Sequence, residues 1–255
     1  MKLVVLGSGT SVPHPQRASA AHWLETSGGS TLLLDIGAST VHRMAQENLD
    51  WVNLDAIWVS HFHLDHVGGL FPFLFGTKYA PATEARRKPL TVYGPHGLEK
   101  LFRAFDAAGD YDLLKQPFPV EIREVAPHAA FTMLPGLSAE TFSTPHTTES
   151  LALKLIDTDN ASLVFTSDTG YTDALATFAQ NVSLFLLECS FFRDKPVESH
   201  LELAEAMRLA AQSGARRVML SHLYPQWDDI DLAAEAKKLW SGETIEARDG
   251  LRVEI

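Results

Sequence analysis

Ten consecutive residues constrain this chain more than any others: Ser60-His61-Phe62-His63-Leu64-Asp65-His66-Val67-Gly68-Gly69, directly after the apolar run Ile57-Trp58-Val59. The apolar run reads as a strand, so the cluster begins where a strand ends. Folding alone explains it poorly. Three imidazoles and a carboxylate gathered in six positions would, if buried, leave several polar groups in need of partners, and a cation supplies them. On an extended segment His61 and His63 point the same way, and the turn that follows lets Asp65 and His66 face a second ion. The single cysteine, Cys189, excludes an internal disulfide and any site built from Cys alone, so the metal must be held by His and carboxylates.

Around this motif strand-like and helix-like segments alternate. The β-rich runs are Lys2–Leu6, Ala21–Glu25, Thr31–Asp35, Ala56–Val59, Leu90–Tyr93, Glu121–Val125, Glu140–Phe142, Leu151–Ile156, Leu163–Phe165, Leu184–Leu187, Arg217–Leu220, Thr244–Ala247 and Leu251–Ile255. Apolar residues recur at helical spacing in Ser39–Glu47, Gly97–Ala107, Asp173–Phe178, Leu201–Gln212 and Leu232–Trp240, with Gly214 a stop signal and Asp231 an N-cap. Strands and helices in both halves imply two sheets packed together with helices outside. No repeat, low-complexity tract or Pro/Ser-rich linker divides the chain, so residues 1–255 read as one domain. Pro81–Pro89, with Arg86-Arg87-Lys88, reads as an exposed loop, and Phe71-Pro72-Phe73-Leu74-Phe75 as core packing before a pocket wall or a dimer contact.

Charge narrows the partners. With 21 basic against 32 acidic side chains the formal charge is -11, which argues against a long nucleic acid, because phosphate binding draws on a surplus of Lys and Arg. A small anionic substrate stays compatible, since bound metal ions reverse the local charge. The longest apolar runs, Leu70–Phe75 and Leu184–Leu187, fall far below the roughly 18–20 residues that span a bilayer. Met1–Thr10 reads as a strand entering a Gly-rich turn and not as a signal peptide, so the expectation is a cytoplasmic protein with no membrane partner.

The His-x-His-x-Asp-His pattern of His61, His63, Asp65 and His66 resembles the signature of the metallo-β-lactamase fold hydrolases. The resemblance runs from Leu6-Gly7-Ser8-Gly9-Thr10 to Leu220-Ser221-His222. It implies an α/β fold, a four-layer αββα sandwich of two mixed sheets with helices on the outer faces, around two divalent metal ions. The further ligands of that family come in the order His, Asp, His after later strands. Here the matching residues are His146 in Ser143-Thr144-Pro145-His146-Thr147, Asp168 in Phe165-Thr166-Ser167-Asp168-Thr169-Gly170, and His222 in Met219-Leu220-Ser221-His222-Leu223. The resemblance implies that His61, His63 and His146 hold one metal, that Asp65, His66 and His222 hold the other, and that Asp168 bridges both. Zinc is the expected ion, and the same ligands accept manganese, iron or cobalt. Asp35, in Leu33-Leu34-Asp35-Ile36-Gly37, matches a family position that supports the metal loop through hydrogen bonds. A homodimer is implied by the resemblance alone.

A narrower resemblance, to the ribonuclease Z branch, rests on Leu187-Glu188-Cys189-Ser190-Phe191 and Glu198-Ser199-His200, which stand between Asp168 and His222. It implies that Glu188 orients His200 and that His200 protonates the leaving oxygen; in the expected mechanism Asp65 orients the attacking water. The match is incomplete. Pro13-His14-Pro15-Gln16-Arg17-Ala18 keeps the proline and arginine of the branch's Pro-x-Lys-x-Arg-Asn loop without its lysine and asparagine, and Arg17 is the candidate clamp for a substrate oxygen. Leu201 and Glu202 follow His200 where the branch has Ser-Thr. Between His146 and Asp168, where tRNA-processing members commonly carry a long Gly/Pro-rich arm, there is only a hairpin, Leu151–Ile156 and Leu163–Phe165 joined by Asp157-Thr158-Asp159-Asn160. Glu140 and Asp157 match no motif and read as surface groups. The expected function is hydrolysis of a small phosphodiester by a metal-activated water. Arylsulfatase, alkylsulfatase or lactonase chemistry on the same centre is the alternative, with tRNA 3′ processing and a non-catalytic metal-binding role behind it.

Overall fold

Alternation along the strands decides the layers. The computed structural model describes residues 1–255. One sheet contains β1 (Lys2–Gly7), β2 (Ala21–Glu25), β3 (Thr31–Leu34), β4 (Ala56–Trp58), β5 (Leu90–Pro95), β6 (Val120–Val125) and β14 (Arg252–Glu254), in the order β14-β1-β2-β3-β4-β5-β6. The other contains β7 (Ala130–Leu134), β8 (Leu137–Ser143), β9 (Leu151–Asp157), β10 (Ser162–Phe165), β11 (Leu184–Glu188), β12 (Arg217–Ser221) and β13 (Glu243–Glu246), in the order β13-β12-β11-β10-β9-β8-β7. Each sheet is mixed: β3 to β6 and β10 to β13 pair in parallel, and the remaining neighbours are antiparallel.

Because side chains alternate along a strand, each sheet has two apolar faces. Leu3 and Val5 of β1 join Leu153 and Leu155 of β9 and Leu184 and Leu186 of β11 in the core between the sheets. Val4 and Leu6 turn the other way, onto the helices α1 (Thr40–Gln46), α3 (Leu70–Tyr79) and α4 (Leu98–Gly109), through Met44, Phe73 and Phe102. Val218 and Leu220 of β12 do the same toward α5 (Asp173–Phe178), α6 (Leu203–Ser213) and α7 (Leu232–Leu239). The result is the four-layer αββα sandwich. Its length is spent on short layers, and no helix is long and apolar enough to cross a membrane.

The structure adds two elements that the sequence pattern does not show and corrects two expectations. The aromatic run Phe71–Phe75 is the first half of helix α3, with Pro72 in the first turn, where a missing N–H costs no helical bond. Phe71, Phe73 and Leu74 are core residues, as read, while Phe75 is half exposed. Ala130–Leu134 is a strand, the antiparallel edge partner of β8, although one of its faces is solvent-exposed and its apolar signal is correspondingly weak. Arg86 is not an exposed loop charge. It is 5% exposed and donates to the carbonyls of Val52, Leu54, Lys88 and Pro89, so its guanidinium closes the loop by satisfying backbone acceptors.

Asp157 is not a surface group either. It is buried at the end of β9, and its Oδ2 accepts from Ser27 N at 2.7 Å and Ser27 Oγ at 2.9 Å, joining the β2–β3 turn of one sheet to the other sheet. Glu140 is exposed, as read. Burial pushes the Asp157 carboxyl up, but the donors from Ser27 and Thr158 outweigh it and hold the pKa below the ordinary value. A depressed carboxylate stabilises the fold above its unfolded pKa and loses that contribution as pH falls through the folded value. Asp157→Ala is therefore expected to cost about 1–3 kcal/mol in urea unfolding at pH 7. The gap from wild type is expected to narrow progressively below about pH 4, and a gap independent of pH would contradict the role.

Candidate metal centre

The chemistry-bearing residues gather at the C-terminal ends of the parallel strands, where open α/β sheets present their loops, and at the end of antiparallel β8 beside them. Asp35 follows β3, the His61–His66 motif follows β4, His146 follows β8, Asp168 follows β10, Glu188 ends β11 and His222 follows β12. The motif turns tightly, since α2 (Leu64–Val67) starts at once after His63. Gly37 makes the close approach possible: a Cβ there would stand 2.4 Å from Asp65 O.

Seven residues converge as the sequence predicts. One set is His61, His63, His146 and Asp168, and another is Asp65, His66 and His222; within each set the ligand atoms lie within 4.8 Å of one another. Asp168 divides its carboxylate between them. Its Oδ1 is 3.2 Å from His66 Nε2 and 3.3 Å from His222 Nε2, while Oδ2 is 3.5 Å from His146 Nε2 and 3.8 Å from His61 Nε2. Ring nitrogens of different histidines also face each other, His146 Nε2 and His63 Nδ1 at 3.0 Å, His66 Nε2 and His222 Nε2 at 3.3 Å.

These residues fit a metal by a test that owes nothing to spacing in the sequence. His61 Nε2 and Asp168 Oδ1 are buried with no hydrogen-bond partner, and such groups are costly unless something else satisfies them. Meanwhile the outer nitrogens are engaged. His66 Nδ1 donates to Asp35 Oδ2 at 2.7 Å and His146 Nδ1 to Ser199 O at 2.9 Å, while His61 Nδ1 and His222 Nδ1 face Ser60 Oγ and Ser190 Oγ, both at 3.0 Å. Fixing the outer nitrogen leaves the inner lone pair free for a cation.

Asp35 is fully buried and accepts from Ser60 N, Ser60 Oγ and Ser167 Oγ at 2.8, 2.8 and 3.0 Å, besides His66. Asp35, Ser167 and His222 all have left-handed backbones, with φ of 57°, 51° and 59°. Such strain, about 1–3 kcal/mol each, persists only where the surroundings over-determine it, and these hydrogen bonds supply that constraint.

Beside the cluster stands the pair expected from the ribonuclease Z resemblance. Glu188 Oε1 is 2.9 Å from His200 Nδ1. The same carboxylate accepts from Thr169 N, Ser190 Oγ and Leu201 N, so one buried Glu ties together the loops that carry Asp168, His222 and His200. Burial pulls the His200 pKa down, but the bond and charge of Glu188 win and raise it above the ordinary value. The His200 ring stacks on His222 at 5.4 Å.

Arg17 is not brought to this cluster. It pairs with Asp228, which also binds His14 at 3.1 Å, and lines a separate polar cavity of about 490 Å³ with Ser8, Trp227, Arg248 and Asp249. Sequence reasoning passed over Ser60, Ser167, Ser190 and His22. His22 lies behind the second set with Nε2 3.3 Å from Ser221 Oγ, and burial pulls its pKa to about 3, so it is a neutral ring. The serines precede or follow named site residues by at most two positions, and that adjacency is the one signal that could have found them.

Comparison with known proteins follows the same lines. The family model of the anti-Pycsar protein Apyc1 matches residues 1–242. The probable metallo-hydrolase YhfI of Bacillus subtilis is 26% identical over 253 residues, covering 98% of each chain. Its crystal structure, described as a metallo-β-lactamase fold protein, superposes with a TM-score of 0.83 at 25% identity over 100% of this chain and 99% of that one. A ribonuclease Z of Archaeoglobus fulgidus is 25% identical over 309 residues, covering 100% of this chain and 97% of its own. A diphosphatase of the PhnP family shares the fold, with a TM-score of 0.74 at 21% identity and coverage of 100% and 97%.

Proposed function

The chain belongs to the family of the anti-Pycsar protein Apyc1, on the metallo-β-lactamase fold, and from that premise we propose that it is a dinuclear metal-dependent phosphodiesterase acting on a small phosphodiester. The observation that carries the proposal is the His200–Glu188 pair beside the ligand cluster. The alcohol of a phosphodiester leaves as an alkoxide and needs a proton, whereas ring opening of a lactone depends less on a dedicated donor.

In this reading His61, His63 and His146 would hold one ion and Asp65, His66 and His222 the other, with Asp168 placed between the two sets. When bound, such ions bring a water's pKa to about 7 and offset the charge of the phosphoryl oxygens. Asp65 accepts a hydrogen bond from the attacking water and sets its direction. With ions bound beside it, their positive charge would favour the carboxylate form of Asp65 that this role requires. Glu188 holds His200 by Nδ1, which leaves Nε2 to protonate the leaving oxygen. The short hairpin between His146 and Asp168 supports a small substrate, since β9 and β10 pair directly and nothing there extends to grip a larger one.

The test is steady-state turnover of bis(p-nitrophenyl) phosphate beside p-nitrophenyl sulfate, by zinc- and manganese-loaded protein and a metal-depleted control. Diester cleavage that depends on metal and exceeds sulfate cleavage is the expected outcome. No diester cleavage by protein holding two metals would move the assignment to the sulfatase and lactonase alternatives.

A further inference from the structure

The loop that delivers His200 to Glu188 is held by one ammonium. Lys195 has a side chain only 9% exposed, and its Nζ donates to His200 O at 3.2 Å, Glu205 Oε1 at 2.8 Å and Glu198 Oε2 at 3.0 Å. Glu205 is itself fixed, because its Oε2 accepts from Glu202 N at 3.1 Å in the capping box that opens α6. Lys195 therefore ties the carbonyl of His200 to the first turn of a helix packed on the outer core. The flanking residues are pinned differently. Ser199 O accepts from His146 Nδ1, Leu201 N donates to Glu188, and Phe191 exchanges backbone bonds with Leu201 and Leu203. The carbonyl of His200 itself has no other donor than Lys195 among these contacts.

We propose that Lys195 is a positioning residue for His200, holding its backbone so that Nδ1 stays on Glu188 and the other ring nitrogen stays directed at the leaving group. The ammonium suits the task. A neutral donor would satisfy the carbonyl but leave the half-buried Glu205 without a counter-charge, and that charge keeps the strut attached to α6. This is a feature of the present chain's loop, which has Leu201-Glu202 after His200 and builds its helix cap from glutamates. The inference rests on the proposed reading for what His200 does, though not for where it sits.

Lys195→Met, Lys195→Arg and Glu198→Gln in the zinc-loaded protein test it, with metal content and Tm measured alongside. The first readout needs no substrate: the downfield proton resonance of the His200 Nδ1–H···Glu188 bond, assigned by its absence in His200→Ala. It is expected to vanish or broaden in Lys195→Met at unchanged metal content, and to return in Lys195→Arg. For a diester with an alkyl leaving group, kcat is expected to fall about 10- to 100-fold with KM within about twofold, as for other outer positions that orient a site group. Bis(p-nitrophenyl) phosphate is expected to lose less. Glu198→Gln is expected to change neither readout, because that side chain is 93% exposed. Should Lys195→Met fold poorly, Glu205→Gln carries the same two measurements with a smaller effect of the same sign.

An unchanged resonance with unchanged kcat would overturn the proposal, as would equal losses on both esters accompanied by a lowered Tm. If wild type turns over no phosphodiester, the phosphodiesterase reading falls, and the resonance still decides the role of Lys195.

Discussion

Asp168→Ala is expected to lower bound metal from two ions per chain to at most one and to cut diester turnover by about 10³-fold or more, the scale of losing a principal electrostatic contributor in a desolvated site. The geometry gives the reason. Asp168 is the one residue whose two oxygens reach both histidine sets, and it is 2% exposed, so water cannot replace it cheaply. Six imidazoles, those of His61, His63, His66, His146, His200 and His222, converge around it and bring no negative charge of their own. On the proposed dinuclear reading, loss of this carboxylate would leave two nearby cations to repel each other through a medium that screens poorly. Asp168→Asn separates charge from shape: it keeps the side-chain volume and is expected to lose nearly as much. Thermal unfolding gives a readout apart from activity. Metal at a hundredfold excess over Kd stabilises a folded protein by about 2.7 kcal/mol per site, so chelator is expected to lower the Tm of wild type and to leave that of Asp168→Ala almost unmoved. A variant that retained two metals and turned over within tenfold of wild type would remove Asp168 from the centre.

What the sequence exposes of this site depends on how locally each residue does its work. His61, His63, Asp65 and His66 are legible because they crowd into six positions after a strand, a pattern folding does not otherwise favour. His146, Asp168 and His222 are single residues after strands, individually indistinguishable from caps or turns, and they become legible only through their order in a family resemblance. Asp35 lies between the two cases. Its place after β3 marks it, but the four donors it collects come from Ser60, Ser167 and His66, which only the tertiary fold brings near. Serines 60, 167 and 190 are marked only by their adjacency to named site residues, since an isolated serine beside a strand carries no period and no charge. The fold is legible where alternation meets a buried face. Strands β9 to β12, buried almost throughout, are legible to within a residue, whereas the half-exposed edge strand β7 carries too weak an apolar pattern to stand out. Charged residues misled in the other direction. Arg86 and Asp157 look like surface groups in any window of sequence, and both are buried because they satisfy backbone groups from segments far along the chain. Arg17 is the reverse case: the loop resemblance implies a place beside the ligand cluster, and Asp228, about two hundred residues later, draws it into another cavity.

His200→Ala is expected to keep both metals and to lose activity in proportion to the difficulty of the leaving group. General acid catalysis by a placed side chain contributes about 10²–10⁴-fold, and that contribution matters only when the departing oxygen needs a proton. Nitrophenolate leaves unaided near neutral pH, so bis(p-nitrophenyl) phosphate is expected to lose no more than about tenfold, while an alkyl diester loses the full amount. Metal content is the control that separates this role from ligation, a necessary check because His200 offers a nitrogen within 4.8 Å of Asp168 and His222. Glu188→Gln adds a second cut through the same interaction. Gln keeps an acceptor for His200 Nδ1–H but not the charge that raises the His200 pKa, so the alkyl ester is again expected to suffer more than the aryl one, by a smaller factor. Equal losses on the two esters, with both metals present, would take proton donation away from His200 and leave it a packing partner of His222. Loss of one metal would make it a ligand, and the leaving oxygen would then need its proton from elsewhere.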